Sequence, residues 1–252
     1  MTSRKSSSAI KKAFAIIEQL IETGEPLALN DFSARLGLPK SSIHRMLTQL
    51  EDAGIVTRTA SGKTYLVGER FVRISLDTMR QSIQSGSARD VMRRLVDDLG
   101  ETCNLGVLDG NQVLYIERIE CDKPLRLFLR SGSRVPLHAT AVGKLLLAFI
   151  PEAKREILVD LDSVEQLTPN TLKGSKLRKK LDQIREDRVS VNVEESMLGL
   201  AGVAVPICNP RGEVIAGLAV HAPLSRFGDT EVNLAKVRLI EAAHEIEELL
   251  FS

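Results

Sequence analysis

The chain has no tryptophan, and its two tyrosines and seven phenylalanines bring aromatics to only 4% of 252 residues. Any core must therefore be aliphatic, built from Leu, Ile, Val and Ala. Cysteine is scarce as well. Cys103, Cys121 and Cys208 are odd in number, far apart and never in a CxxC pair. That argues against a disulfide framework or a zinc knuckle and fits a reducing compartment. There is no excess of one charge: 34 Lys/Arg face 33 Asp/Glu, so the whole chain is not a polycation. No stretch approaches the ~18–20 consecutive apolar residues of a membrane span. The opening MTSRKSSSAIKKAF lacks the apolar run of a signal peptide. These absences lead to the expectation of a soluble, cytoplasmic protein. The chain also contains no GxSxG, GxGxxG or HExxH. Gly143-Lys144 is no Walker loop, because His138 stands where its first Gly is required and Leu145 where Ser/Thr is required. The expectation is that the chain is not an enzyme.

What is present is globular in composition, with 43% apolar and 27% charged residues. The length allows one large domain or two small ones, at roughly 100–200 residues each. Residues 1–70 carry ten Lys/Arg and seven Asp/Glu, a local positive excess compatible with nucleic-acid contact. From Ala9 to Ile21 the apolar residues fall at helical spacing, and Gly24 supplies a stop. The segment 27–56 then reads as two short amphipathic helices. Asn30 is placed to cap the first, and Ser41 or Ser42 the second, which buries Ile43, Met46, Leu47 and Leu50. A tight turn at Gly37-Leu38-Pro39 joins them, which is the helix-turn-helix pattern. Two β-prone runs around Ala60-Ser61-Gly62 follow and add a wing.

The other face of the second helix carries Ser41, Ser42, His44, Arg45, Thr48 and Gln49. A recognition helix needs hydroxyls and cations near its start, where phosphates meet the helix N-terminus and side chains reach base edges. Lys40, Ser41 and Ser42 suit phosphates, and His44 and Arg45 suit bases or phosphates. Thr48 could serve either side, and Lys63 at the wing tip suits a flanking phosphate. The blander alternative is a solvated face used for protein contacts.

Residues 69–84 read as a linker helix, Gly86 breaks it, and 88–99 read as a further helix ending at Gly100. Beyond them the texture is mixed α+β. Asp109-Gly110 divides two β-rich runs, a hairpin signal. PLRLFLRSG, residues 124–132, reads as a third strand. Helices are expected around 152–160 and 174–187, strands near 189–194, 201–207 and 213–221, and a last helix over 229–251. The stretch GSRVPLHATAVGKLLLA, residues 132–148, opens with polar punctuation and becomes a helix at about Thr140. The backbone N–H groups of Thr140, Ala141 and Val142 would then be unpaired at its start, an anion site among small residues. His138 reads as structural, Lys144 as reaching out to solvent, and Glu194-Glu195 as capping or salt-bridging a loop.

Two segments, GLPKSSIHRMLTQLEDAGIV at 37–56 and SRVPLHATAVGKLLLA at 133–148, together resemble the IclR family of bacterial transcription regulators. GETCNLGVLDGNQVLYIERIE, EESMLGLAGVAVPICNPRGEVIAGLAV and APLSR extend the likeness in order over nearly the whole chain. The resemblance implies an α+β protein: an N-terminal winged helix-turn-helix (1–68), a linker helix (69–85) and a C-terminal GAF/PAS-like effector-binding domain (86–252). It implies a repressor of a catabolic operon that binds palindromic double-stranded DNA as a homodimer, often a dimer of dimers, and answers to a small organic or aromatic acid without a cofactor. It adds Leu127, Asn192, Leu200, Gly202, Ala219 and His221 to Thr140, Ala141 and Val142 as the pocket. Where many relatives carry Cys and a Ser-x-Ser pair, this chain has Gly202 and Ala219-Val220-His221. Effector identity therefore cannot be borrowed. The competing readings are a metal- or redox-responsive regulator and a small-molecule-processing enzyme on a GAF-like fold.

Overall fold

The computed structural model describes residues 8–84, 86–124 and 129–251. The chain divides into two compact units, residues 1–79 and 80–252. In the first, Ser8 caps α1 (Ala9–Thr23) through its hydroxyl, and Gly24 ends it in the left-handed region. β1 (Leu27–Ala28), α2 (Leu29–Leu36), α3 (Lys40–Asp52), β2 (Val56–Arg58) and β3 (Thr64–Val67) follow. β1, β3 and β2 form a small antiparallel sheet in that order. Ile16, Leu20, Phe32, Ile43, Met46, Leu47, Val56 and Tyr65 close one core beneath it. Helix starts differ slightly from the sequence expectation. Asn30 lies inside α2, and the carboxylate of Asp31 takes the N–H of Ala28 instead. α3 begins at Lys40 rather than at a serine, with Pro39 before it fixing the entry. α4 (Glu69–Gln84) covers the helix expected over 69–84.

The second unit contains α5 (Ser87–Leu99), β4 (Thr102–Asp109), β5 (Gln112–Ile119), β6 (Arg134–Pro136), α6 (Ala141–Phe149), α7 (Glu152–Leu158), α8 (Gly174–Asp187), β7 (Ser190–Val193), β8 (Leu200–Cys208), β9 (Val214–Pro223) and α9 (Asp229–Phe251). The six strands form one antiparallel sheet in the order β6-β5-β4-β9-β8-β7. Residues 125–128 of the strand expected over 124–132 lie outside the described residues. Of the rest, Leu129–Gly132 are not strand, and the partner of β5 is β6. There the chain turns instead: Arg130 and Ser133 bond each other, closing a loop before β6.

Register assigns the faces, because paired residues in an antiparallel sheet point the same way. Asn192 pairs with Gly202, Gly202 with His221, Ala204 with Ala219, and Asn104 with both Ala219 and Arg118. This face packs against α6, with α8 behind it in the same apolar cluster. The other face, carrying Cys103, Leu105, Leu218 and Val220, lies on the side of α5 and α9. α6 sits unusually close to the sheet. A Cβ at Gly106 or Gly217 would lie 3.0 or 2.9 Å from Val142 Cγ1. Glycine at both strand positions makes the groove that receives the helix.

Candidate DNA-binding face and ligand pocket

α2 and α3 form the helix-turn-helix of the first unit, and β2–β3 form its wing. α3 buries Ile43, Met46 and Leu47 and turns its polar residues outward. Lys40, Ser41, His44 and Arg45 are exposed, and Ser42 and Thr48 are half-buried. The Thr48 hydroxyl donates to the His44 carbonyl at 3.1 Å, which commits its proton and leaves its lone pairs outward. Lys63 is exposed in the turn between the wing strands. Arg58 on the wing is engaged otherwise, with Glu51 at 3.0 Å and the Tyr65 ring 4.9 Å beneath it. The outward face of α3 and the wing tip thus carry accessible cations, hydroxyls and an imidazole.

In the second unit the odd punctuation before α6 resolves into a built corner. Thr140 is the N-cap, not a first-turn residue. Its hydroxyl donates to the Pro136 carbonyl at 2.8 Å and accepts from Gly143 N–H at 3.1 Å. The expected triplet of unpaired N–H groups is therefore corrected to Ala141 and Val142, the first two helical residues. Gly143 is there for close approach: a Cβ would lie 2.2 Å from the Leu137 carbonyl oxygen. The Asn192 amide spans from β7 to this corner, donating to the Ala139 carbonyl while its oxygen accepts from Glu195 N–H. Asn192 is thus a strut that fixes the start of α6 over the sheet. His138 bonds the Glu165 carbonyl at 3.0 Å, in keeping with a loop role.

Beneath the α6 start a polar chain crosses the sheet. Arg118 Nε meets Glu120 at 3.2 Å, and Arg118 Nη1 donates to Asn104 Oδ1 at 2.7 Å. Asn104 Nδ2 meets His221 Nδ1 at 3.0 Å, and the Tyr115 ring stands edge-on to the imidazole at 6.2 Å. Asn104, Arg118, Tyr115 and His221 are all buried. Gly202 and His221 are complementary, since a Cβ at 202 would lie 2.7 Å from His221 Cδ2. Ala219 lies on this face, and Leu200, also buried, is two residues from Gly202 along the same face of β8. Leu127 lies outside the described residues. Asn104, Arg118 and Tyr115 escaped the sequence reading. Alternation along each strand was visible, but the cross-strand register that gathers them around His221 was not.

Burial, with the Arg118 cation adding to it, lowers the His221 pKa to about 4. The imidazole is neutral at neutral pH. The unfolded chain takes up a proton near pH 6.5 that the folded one refuses until about 4. Stability from this group is therefore complete above pH 6.5 and lost as pH falls toward 4. His221→Gln should flatten the rise in unfolding free energy between pH 4.5 and 6.5. Urea titrations at those two pH values measure it, and parallel slopes for both proteins would refute the assignment.

Lys144 departs most from expectation. It is wholly buried, and Nζ donates to the Glu195 carboxylate and, at 3.1 Å, to the Val191 carbonyl. Burial pulls the ammonium pKa down and pushes the Glu195 carboxyl up, while their attraction opposes both shifts. The reason is the surroundings of α6: Ala141 to Ala148 are all buried, so no solvent side exists for a lysine to reach. Glu195 does bridge the β7–β8 loop, as expected. Glu194 closes the same loop by accepting from Gly199 N–H at 2.7 Å. Among the described residues no group of three or more His, Cys, Asp or Glu could hold a metal. No helix among them is long and apolar enough to cross a membrane.

A helix-turn-helix unit and an α+β unit with a buried polar cluster, in one chain, have the architecture of a ligand-responsive transcription regulator. The family models agree. The one described as bacterial transcriptional regulator IclR C-terminal matches residues 79–248, and the IclR helix-turn-helix domain matches residues 9–60. The chain belongs to the IclR family of bacterial transcriptional regulators. It is 38% identical over 226 residues to the protein named probable transcriptional regulator SauR of Cupriavidus necator, covering 89% of this chain and 90% of that one. The acetate operon repressor of Salmonella typhimurium is 28% identical over 94% of this chain and 88% of its own. Among solved structures, Thermotoga maritima IclR superposes with a TM-score of 0.60 at 27% identity, covering 96% of this chain and 98% of that one. An IclR homolog from Microbacterium hydrocarbonoxydans, complexed with 4-hydroxybenzoate, gives 0.61 at 27% identity, covering 96% and 99%.

Proposed function

We propose that this regulator is a cytoplasmic repressor of a catabolic operon, released or retained on its operator by a small organic or aromatic acid. The observation that carries the acid reading is the donor-rich corner at α6. Two first-turn N–H groups lie over a sheet face that holds a neutral imidazole and a buried guanidinium. That the Microbacterium homolog was solved with 4-hydroxybenzoate supports the same class of ligand. Thr140, Ala141, Val142, Leu200, Gly202, Ala219 and His221 form the wall, and Asn192 holds its geometry. Lys40, Ser41, Ser42, His44, Arg45, Thr48 and Lys63 meet double-stranded DNA, and a homodimer or dimer of dimers reads a palindrome. The effector acts by preferring one arrangement of the DNA-binding units over another.

Gel shifts on the chain's own upstream region, with and without 4-hydroxybenzoate and simple aliphatic acids, test the reading. Specific retardation that an acid alters is expected. No specific retardation under any condition would refute it. Arg45→Ala should weaken operator binding by about 1–3 kcal/mol, roughly 5- to 150-fold, if Arg45 reads a base edge. Fluorescence anisotropy on a labelled operator measures this, and wild-type affinity would take Arg45 out of the interface.

A further inference from the structure

The polar chain under α6 determines where the proton of His221 resides. A guanidinium has five N–H groups and no acceptor. The Asn104 atom 2.7 Å from Arg118 Nη1 must therefore be the amide oxygen. That turns the Asn104 NH2 toward His221 Nδ1, 3.0 Å away. An NH2 group only donates, so Nδ1 must offer its lone pair. A neutral imidazole has a single N–H, and here it is left on Nε2. Buried beside the Arg118 cation, the ring has reason to stay neutral. Nε2 has no hydrogen-bond partner among the described residues. That edge of the ring lies against Gly202, where a Cβ would stand 3.1 Å from Nε2. Glycine at 202 leaves the room that the imidazole edge occupies.

We propose that Arg118 and Asn104 are positioning residues that hold His221 as a neutral Nε2–H donor, and that this N–H donates to an oxygen of the bound effector. The proposal rests on the reading of this corner as the effector pocket. It deepens that reading by fixing the polarity of the ligand. Ala141 N–H, Val142 N–H and His221 Nε2–H are all donors, so the effector brings acceptors, a carboxylate or a carbonyl, and not an amine. Asn104 and Arg118 touch His221 and each other, so they act through the imidazole.

The test uses the full-length protein labelled with 15N-histidine, with the His221 signals assigned by their disappearance in His221→Gln. The expected spectrum at pH 7 shows a protonated Nε2 and an unprotonated Nδ1. In Asn104→Asp the carboxylate accepts from both Arg118 and the ring, so the proton is expected on Nδ1. A wild-type His221 protonated on Nδ1 overturns the proposal, and so does a tautomer that Asn104→Asp leaves unchanged. If Asn104→Asp does not fold, the wild-type spectrum decides alone. Calorimetry with 4-hydroxybenzoate supplies the ligand readout: at least a tenfold loss of affinity in Asn104→Asp supports donation to the acid, and equal affinities overturn it. A wild type that binds no 4-hydroxybenzoate would count against the acid reading of the pocket, while the nitrogen shifts still decide the tautomer.

Discussion

Lys144→Met is expected to cost the C-terminal unit about 3–5 kcal/mol, because it strands the Glu195 carboxylate without its cation in a buried site. Lys180 also attracts the carboxyl, but more weakly than Lys144 does. Glu195 is 6% exposed, and one of its carboxylate oxygens already has no hydrogen-bond partner. The carboxyl would have to protonate, or the β7–β8 loop would have to open and let water in. The double variant Lys144→Met with Glu195→Met should recover most of the loss, since a well-packed apolar pair of similar volume replaces a buried ion pair at little or no cost. Urea denaturation of the two single variants and the double measures the cycle. A single Lys144→Met within 1 kcal/mol of wild type would mean that the pair does not hold the loop.

Gly143→Ala should be nearly as damaging, at about 3 kcal/mol or more. The added methyl would stand 2.2 Å from the Leu137 carbonyl oxygen and 2.5 Å from its Cα, both backbone atoms with no rotamer to yield. Either α6 must lift from the loop or the Pro136–Thr140 corner must rebuild. Both would disturb the Ala141 and Val142 N–H groups, so the proposed acid binding should fail together with stability. A thermal melt reads the first effect, with roughly 2–4 °C lost per kcal/mol in a unit of this size. The idea fails if the variant melts with the wild type.

These two adjacent residues also show what could be read from the sequence and what could not. The helix 229–251, the hairpin at Asp109-Gly110 and the helix-turn-helix followed from spacing and punctuation, which are local. The polar opening of 132–148 was visible as an anomaly, and its small residues pointed to a corner where a ligand could approach. Lys144 was misread because helical periodicity assumes one wet face, and α6 has none: sheet, α8 and the β7–β8 loop enclose it. The alternating Leu and Arg of 124–132 suggested a strand, but at 129–132 the chain turns and its pairing partner starts at Arg134. Arg118 and Asn104 were out of reach for a different reason. Their meeting with His221 depends on β4 standing between β5 and β9, a topological fact that no single segment encodes.

The glycine groove under α6 has a consequence for anyone wishing to turn this regulator into a biosensor for another acid. Gly106, Gly217 and Gly143 fix how deep the helix sits, and a side chain at any of them would meet atoms that define the fold. Further along the same sheet face the side chains are adjustable. Positions 202, 219 and 221 share that face, and the bulk at 221 is matched by the missing side chain at 202. A library that varies those three together, trading volume between them and leaving the glycines untouched, would change the ligand while keeping the seat of α6.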